Sequence, residues 1–396
     1  MKITKEERLL FLISIIYPSS EQIALIDKLV LSISDWKSLI DKMIQLGLAP
    51  LFYVKLSILR NNYLIPVELK LRLKQVYYKT LSRGTIMFNH FEKILFELQK
   101  NQIQIIALKG IYLSEHLYKN IALRQFSDID LLVKPEDSIK VLNILDNLGY
   151  YNYQNFEDLP NIVSNKNHFQ PRIKDNVSIE IHVKLEHKMN IEYVFENKQF
   201  ISIKNMNFFV LDFHDNLIHL CLHLDKHFKY GKVQFTSYVD ITNILSIYAN
   251  QIDWYLFEKR CYYYNCYELV LKYLLLISKY FVINLPVSIT SKNSHLLTKI
   301  DESLFLNFLR DYVPFHTAIP SHFTNVKEYK SFYLKSKYII KYLLPSKDFM
   351  IRKYNITNIN YVYIYYLYRW LFAILAIFIL IFKNRDYHFM YKKKRG

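Results

Sequence analysis

Two aspartates two positions apart, Asp128 and Asp130, sit inside Phe126-Ser127-Asp128-Ile129-Asp130-Leu131-Leu132-Val133, a run whose other residues suit a buried strand. Strand side chains alternate faces, so both carboxylates point the same way, about 6–7 Å apart, and Ile129, Leu131 and Val133 make the opposite face apolar. Neighbouring carboxylates repel and resist desolvation unless a cation lies between them. Oxygen donors of this kind suit Mg²⁺ or Mn²⁺ rather than zinc. A solvated strand end is the other reading of a bare Asp-x-Asp, so the surrounding elements decide between the two.

Upstream, Gln102 to Leu108 reads as a strand that runs through Lys109-Gly110 into a short amphipathic helix, Ile111 to Tyr118. Such a turn gathers free backbone N–H groups and a positive helix end, and Lys109 adds a full charge, as a phosphate site requires. Arg124 lies four residues before Asp128 and is within reach of a triphosphate. Downstream, Asn176 to Val183 alternates again, with Ser178, Glu180 and His182 on its polar face. If this strand lies beside the first, Glu180 supplies a third carboxylate, and a pair of divalent ions could hold a triphosphate and activate a hydroxyl.

Taken together, Leu108-Lys109-Gly110, the short helix, Leu123-Arg124, the run from Phe126 to Asp137 and Ile179-Glu180-Ile181-His182 resemble the uncharacterised bacterial nucleotidyltransferase family, within the DNA polymerase β-like nucleotidyltransferase superfamily. The resemblance extends from Phe88 to Leu211. It implies an α+β fold, a small mixed-sheet nucleotidyltransferase core flanked by N-terminal and C-terminal helical domains. It also implies Mg²⁺-dependent (or Mn²⁺-dependent) transfer of a nucleoside monophosphate from an NTP to an unknown hydroxyl acceptor, with release of pyrophosphate. Carried over, Asp128 and Asp130 are metal ligands, and Glu180 completes the set and orients or deprotonates the acceptor. Lys109, Gly110, Arg124 and Ser127 then hold the nucleotide, and His182 and His223 are candidate acceptor or cleft contacts. One departure stands out: the family's usual Gly-Ser pair at the phosphate turn is Lys109-Gly110 here.

The elements around this core follow from composition and periodicity. The 396 residues contain only 6 glycines and 10 prolines at 52% hydrophobic content, which favours helices with few irregular loops. Residues 1–84 read as helices, with Leu9 to Ile16 as core rather than a leader; 85–212 carry the nucleotidyltransferase core; 213–345 read as a helical bundle. The first bundle helix carries His219, His223 and His227 at i, i+4, i+8. Leu220 occupies the place where H-E-x-x-H needs its glutamate, so a zinc protease is excluded. His168, Asp225 and Asp240 are further candidates for the cleft rim. Cys221, Cys261 and Cys266 have no metal-binding spacing and fit a reducing cytoplasm.

The net charge of +17 favours polyanionic partners, and six basic residues against one acid leave the last fourteen residues at +5. No RNA- or DNA-reading motif accompanies that charge, so nucleic acid rests on charge alone. Within 346–396, Tyr361 to Phe382 is apolar or aromatic apart from Arg369, and as a helix would be about 33 Å long. A nucleotide-using domain and a basic tail both belong on the cytoplasmic side, which opposes a single span. Residues 361–396 lying on an anionic inner membrane face, or packed on the helical domain, remove the conflict. A non-catalytic or regulatory membrane-surface protein retaining the fold is the alternative function. A phosphotransferase is a third, but neither a kinase glycine-rich loop nor an H-R-D-type catalytic loop is present.

Overall fold

The computed structural model describes residues 3–152, 168–186, 189–229 and 234–311, together with parts of 333–371. Four helices open the chain: α1 (Lys5–Ile13), α2 (Ser20–Val30), α3 (Trp36–Gln45) and α4 (Ala49–Lys55). Capping boxes fix two of their starts, Thr4 with Glu7 and Ser19 with Gln22, each satisfying two otherwise orphaned backbone donors. Then α5 (Val67–Lys100) runs unbroken for 34 residues, so the boundary expected at residue 84 falls inside a helix. Leu73, Thr80, Gly84, Met87, Phe91, Ile94 and Leu98 recur on one face at spacings of three, four and seven. That stripe lays α5 across the sheet, with the Phe91 ring edge-on to Phe208 at 5.0 Å.

The sheet is built from β1 (Ile105–Leu108), β2 (Asp128–Val133), β3 (Tyr151–Asn152), β4 (Arg172–Lys174), β5 (Val177–His182), β6 (Gln199–Ile203) and β7 (Met206–Val210). Their order is β3-β4-β5-β2-β1-β7-β6. The sheet is mixed: β2 pairs with β5 and β1 with β7 in parallel, and the other pairs are antiparallel. Strands β1 and β2 are central, and every residue from Ile105 to Leu108 and from Ile129 to Val133 is buried. Between strands come α6 (Gly110–His116), α7 (Ser138–Asn147) and α8 (Ile191–Glu196).

Beyond the sheet lie α9 (Phe213–Lys229), α10 (Phe235–Tyr248), α11 (Trp254–Tyr263), α12 (Tyr267–Phe281), α13 (Val287–Asn293), α14 (Lys299–Arg310) and α15 (Lys347–Tyr354). The N-terminal and C-terminal helices share one core with the sheet. Phe11 of α1 packs within 6 Å of the rings of Tyr280, Phe281 and Phe305. The Asn243 side chain bonds backbone groups of Ser14 and Ile16, and Arg310 pairs with Glu7. The Leu9 to Ile15 segment is core, as its composition suggested. Among the described residues no helix is long and apolar enough to cross a membrane. The apolar stretch 372–382, the basic tail and the loop 153–167 lie outside the described residues.

One buried charge in the helical layer has a measurable consequence. Lys55 is 3% exposed, and its Nζ has no hydrogen-bond partner among the described residues. Burial pushes its ammonium down to about 7. Below pH 7 the folded protein carries the full penalty of a buried charge. Between pH 7 and about 10.5 the unfolded chain holds a proton that the folded protein has released, so stability rises with pH through that window. Lys55→Met should add on the order of 2–4 kcal/mol at pH 6 and little at pH 10.5. Urea denaturation of both proteins at the two pH values measures this, and an equal difference at both would contradict it.

Candidate active site

Register places the first functional side chains. Strands β2 and β5 run in parallel with Asp128 opposite Ser178 and Asp130 opposite Glu180. Period-two alternation, anticipated from sequence for each strand separately, then puts Asp128, Asp130, Glu180 and His182 on one face of the sheet. On the other side of β2, Leu108 pairs with Asp130, so the residue that follows β1 emerges beside the carboxylates. That residue is Lys109. Its Nζ lies 3.3 Å from Asp130 Oδ2 and donates to His223 Nε2 at 2.9 Å. His182 Nε2 donates to Asp130 Oδ1 at 2.8 Å and stands 3.8 Å from Glu180 Oε2. His168 Nδ1 is likewise 3.8 Å from Glu180 Oε2.

The turn after β1 is tight. Lys109 has φ +46° and ψ −115°, a sparsely populated conformation that costs a residue with a β-carbon on the order of 1–3 kcal/mol. The lysine held there brings its ammonium to 3.3 Å from Asp130 Oδ2. Gly110 is sterically required: a β-carbon would lie 2.8 Å from Phe126 Cβ and 2.9 Å from Arg124 Nη1. The helix that starts here, α6, is only seven residues long, so the positive charge at the turn comes chiefly from Lys109.

Electrostatics mark the cluster as short of positive charge. Burial, with Asp130 and Glu180 beside it, pushes the Asp128 carboxyl up to about 8. Glu180 is also raised, by burial and then by Asp130. Burial would raise Asp130 too, but Lys109 and the His182 hydrogen bond prevail and hold it well below the usual range. Lys109 is raised despite its burial, because Asp130, Asp128 and Glu180 surround it. One ammonium thus satisfies one of three carboxylates. One donor atom each from Asp130, Glu180 and His182 lie within 4.8 Å of one another. The residues present therefore fit a divalent cation, which would relieve the two carboxylates left raised.

The remaining sequence-derived candidates separate. Ser127 is exposed at the mouth of β2, and its carbonyl accepts from Arg83 Nη2. Arg124 is buried and engaged with Asp240, through Nε at 2.9 Å and Nη2 at 2.6 Å, and Tyr118 also donates to Asp240. The pair lies under the Gly110 turn and props it. Asp225 accepts from Tyr273 of α12 and so belongs to helix packing. His219 and His223 approach the cluster from α9, and the His223 and His227 rings are 4.1 Å apart.

Two further residues, Arg83 and Lys226, were not singled out from sequence, and a third, His219, was named only as one of the histidine ladder. Arg83 of α5 bridges the carbonyls of Ser127 and Asn176, tying β2 to the β4–β5 turn, and Asp128 acts on its charge. Lys226 pairs with Glu186 and acts on Glu180. His219 is 2% exposed, and neither ring nitrogen has a partner among the described residues. Its place in the histidine ladder was legible; its unmet hydrogen bonds were not.

A family model described as an uncharacterised nucleotidyltransferase matches residues 32–282, which hold every side chain of this cluster. No curated protein and no solved structure matches the chain.

Proposed function

This chain belongs to the family of uncharacterised nucleotidyltransferases, and from that premise we propose that it transfers a nucleoside monophosphate from an NTP to an acceptor hydroxyl, releasing pyrophosphate. The observation that supports this most is the direct pairing of Asp130 with Glu180 across parallel strands, with Asp128 on the same face and Lys109 beside them. Asp128, Asp130 and Glu180 would hold divalent metal, Mg²⁺ or Mn²⁺. Bound there, the metal supplies charge that offsets the triphosphate and the departing pyrophosphate.

The chain's own groups do the rest. Gly110 keeps the turn after β1 close against Phe126 and Arg124, and Lys109 at that turn would supply positive charge to the phosphates. Ser127 and Arg124 complete the nucleotide side, Ser127 from the mouth of β2 and Arg124 by supporting the turn. Glu180, on the acceptor side of the cluster, orients the acceptor hydroxyl and accepts its hydrogen. The acceptor oxygen bonds to the α-phosphorus as the bond from that phosphorus to the β-phosphate bridge breaks. His182 and His223 would be the acceptor-side contacts. The test is incubation of the purified protein with each α-³²P-labelled NTP, Mg²⁺ or Mn²⁺, and cell extract. A labelled product made by the wild type, and not by a site variant, is the expected result.

We also propose that residues 361–396 rest on an anionic membrane surface, on the cytoplasmic face. Tyr361, Tyr363, Ile364, Leu367 and Trp370 are exposed, and the basic tail follows them in sequence. Flotation with phosphatidylserine-containing liposomes should carry the full chain and not a 1–360 truncation. Equal flotation of the two would remove the proposal.

A further inference from the structure

The third polar residue of β5 is an imidazole placed where a metal donor belongs. We infer that His182 Nε2 is a direct ligand of the cation, in a mixed site of Asp130, Glu180 and His182 that takes Mn²⁺ in preference to Mg²⁺. The inference rests on the metal-binding part of the function proposed above and names its donors. It revises that donor set: Asp128, named as a ligand above, is outside this group of three, and His182 takes its place.

Geometry carries the argument. Donors on a common small ion at about 2.1 Å stand about 3 Å apart when adjacent and about 4 Å apart when opposite. His182 Nε2 stands 2.8 Å from Asp130 Oδ1 and 3.8 Å from Glu180 Oε2. It is the same ring atom in both cases, so the imidazole faces both carboxylates with the edge that would bind metal. The register explains how: Asp130 lies directly opposite Glu180, and His182 follows two residues later on the same face. A neutral imidazole exchanges tautomers, so the nitrogen that donates to Asp130 can instead offer its lone pair.

A separate feature points to a polar occupant beside this ring. His219 of α9 is buried with both nitrogens unpartnered, and Lys109, His182 and Asp130 act on it. A buried imidazole left without any hydrogen bond is costly unless a ligand or its water meets it. The donor set then decides the metal. Of the two ions proposed above, both take carboxylate oxygens, but Mg²⁺ holds to hard oxygens and keeps its water, whereas Mn²⁺, a transition metal, accepts an imidazole nitrogen beside them more readily.

The test is pulsed EPR of Mn²⁺ bound to the full-length protein, with ¹⁵N-histidine labelling, alongside competition between Mn²⁺ and Mg²⁺. The wild type should show a directly coordinated imidazole nitrogen and prefer Mn²⁺ by about tenfold or more. His182→Gln should lose the nitrogen coupling and narrow that preference, while His168→Gln and His219→Gln keep both. Bound Mn²⁺ with oxygen-only coordination in the wild type overturns the inference and leaves the proposed transferase standing, whatever the folding of the variants. Nitrogen coupling that survives in His182→Gln overturns it equally. If neither cation binds, this inference and the metal-binding part of the proposed function fall together.

Discussion

Asparagine at position 130 is expected to lower NMP transfer by about 10³-fold or more and to leave the protein folded. The aspartate has 4% exposure and stands at the centre of the cluster, with Lys109 and His182 on its two oxygens and Glu180 opposite it across the sheet. Asparagine has the same shape and keeps an oxygen for the His182 N–H, but it brings one neutral donor where a cation needs charge. Stability responds differently. Losing the carboxylate weakens the hold on Lys109, yet it also removes a like charge that raises both Asp128 and Glu180. These opposing effects should keep the melting temperature within about 3 °C of wild type. Label transfer and thermal denaturation of the same preparation measure the two. Full activity in Asp130→Asn would remove the carboxylate cluster from the chemistry.

Asp240→Ala should act the other way, on the fold first. It leaves the Arg124 guanidinium buried without its carboxylate and strips Tyr118 of its acceptor. Breaking a buried ion pair by removing one partner typically costs about 3–5 kcal/mol. Activity should fall as well, because Arg124 Nη1 lies against Gly110 and any shift of the guanidinium disturbs the turn after β1. The double variant Arg124→Met/Asp240→Leu should recover most of the stability, since an apolar pair of similar volume carries no stranded charge. Urea denaturation of the two single variants and the double variant gives the coupling. If Arg124→Met costs little stability but abolishes NTP binding, the arginine is a nucleotide ligand and not the prop beneath the turn.

The parts of the site legible in sequence were those set by local periodicity. Alternation alone placed Asp128 with Asp130, and Glu180 with His182, on polar strand faces, and glycine marked the turn after β1. The family resemblance supplied what periodicity lacks, namely that the two strands are neighbours. Pairs distant in sequence gave no local signal. Arg124 meets Asp240 across 116 positions, and Arg83 reaches Ser127 from a helix whose pattern speaks only of its buried face. The short strands were equally hidden. Asp175 and Asn176 both take positive φ in the β4–β5 hairpin turn, a readable Asp-Asn signal, but β4 has only three residues. The β6–β7 hairpin turns at Lys204 with φ +55° and has no glycine to announce it. The boundary expected at residue 84 fails to mark a break because α5 carries the same apolar stripe from Leu73 to Leu98.

The most direct test of the central claim is to supply one NTP in two forms, labelled at the α- or the γ-phosphorus, and to follow where each label goes. Carboxylates holding metal for nucleotidyl transfer predict that α-label enters the acceptor and γ-label leaves as pyrophosphate, with both lost in Asp130→Asn. Transfer of γ-label to the acceptor, or α-label transfer undiminished in that variant, would contradict the account.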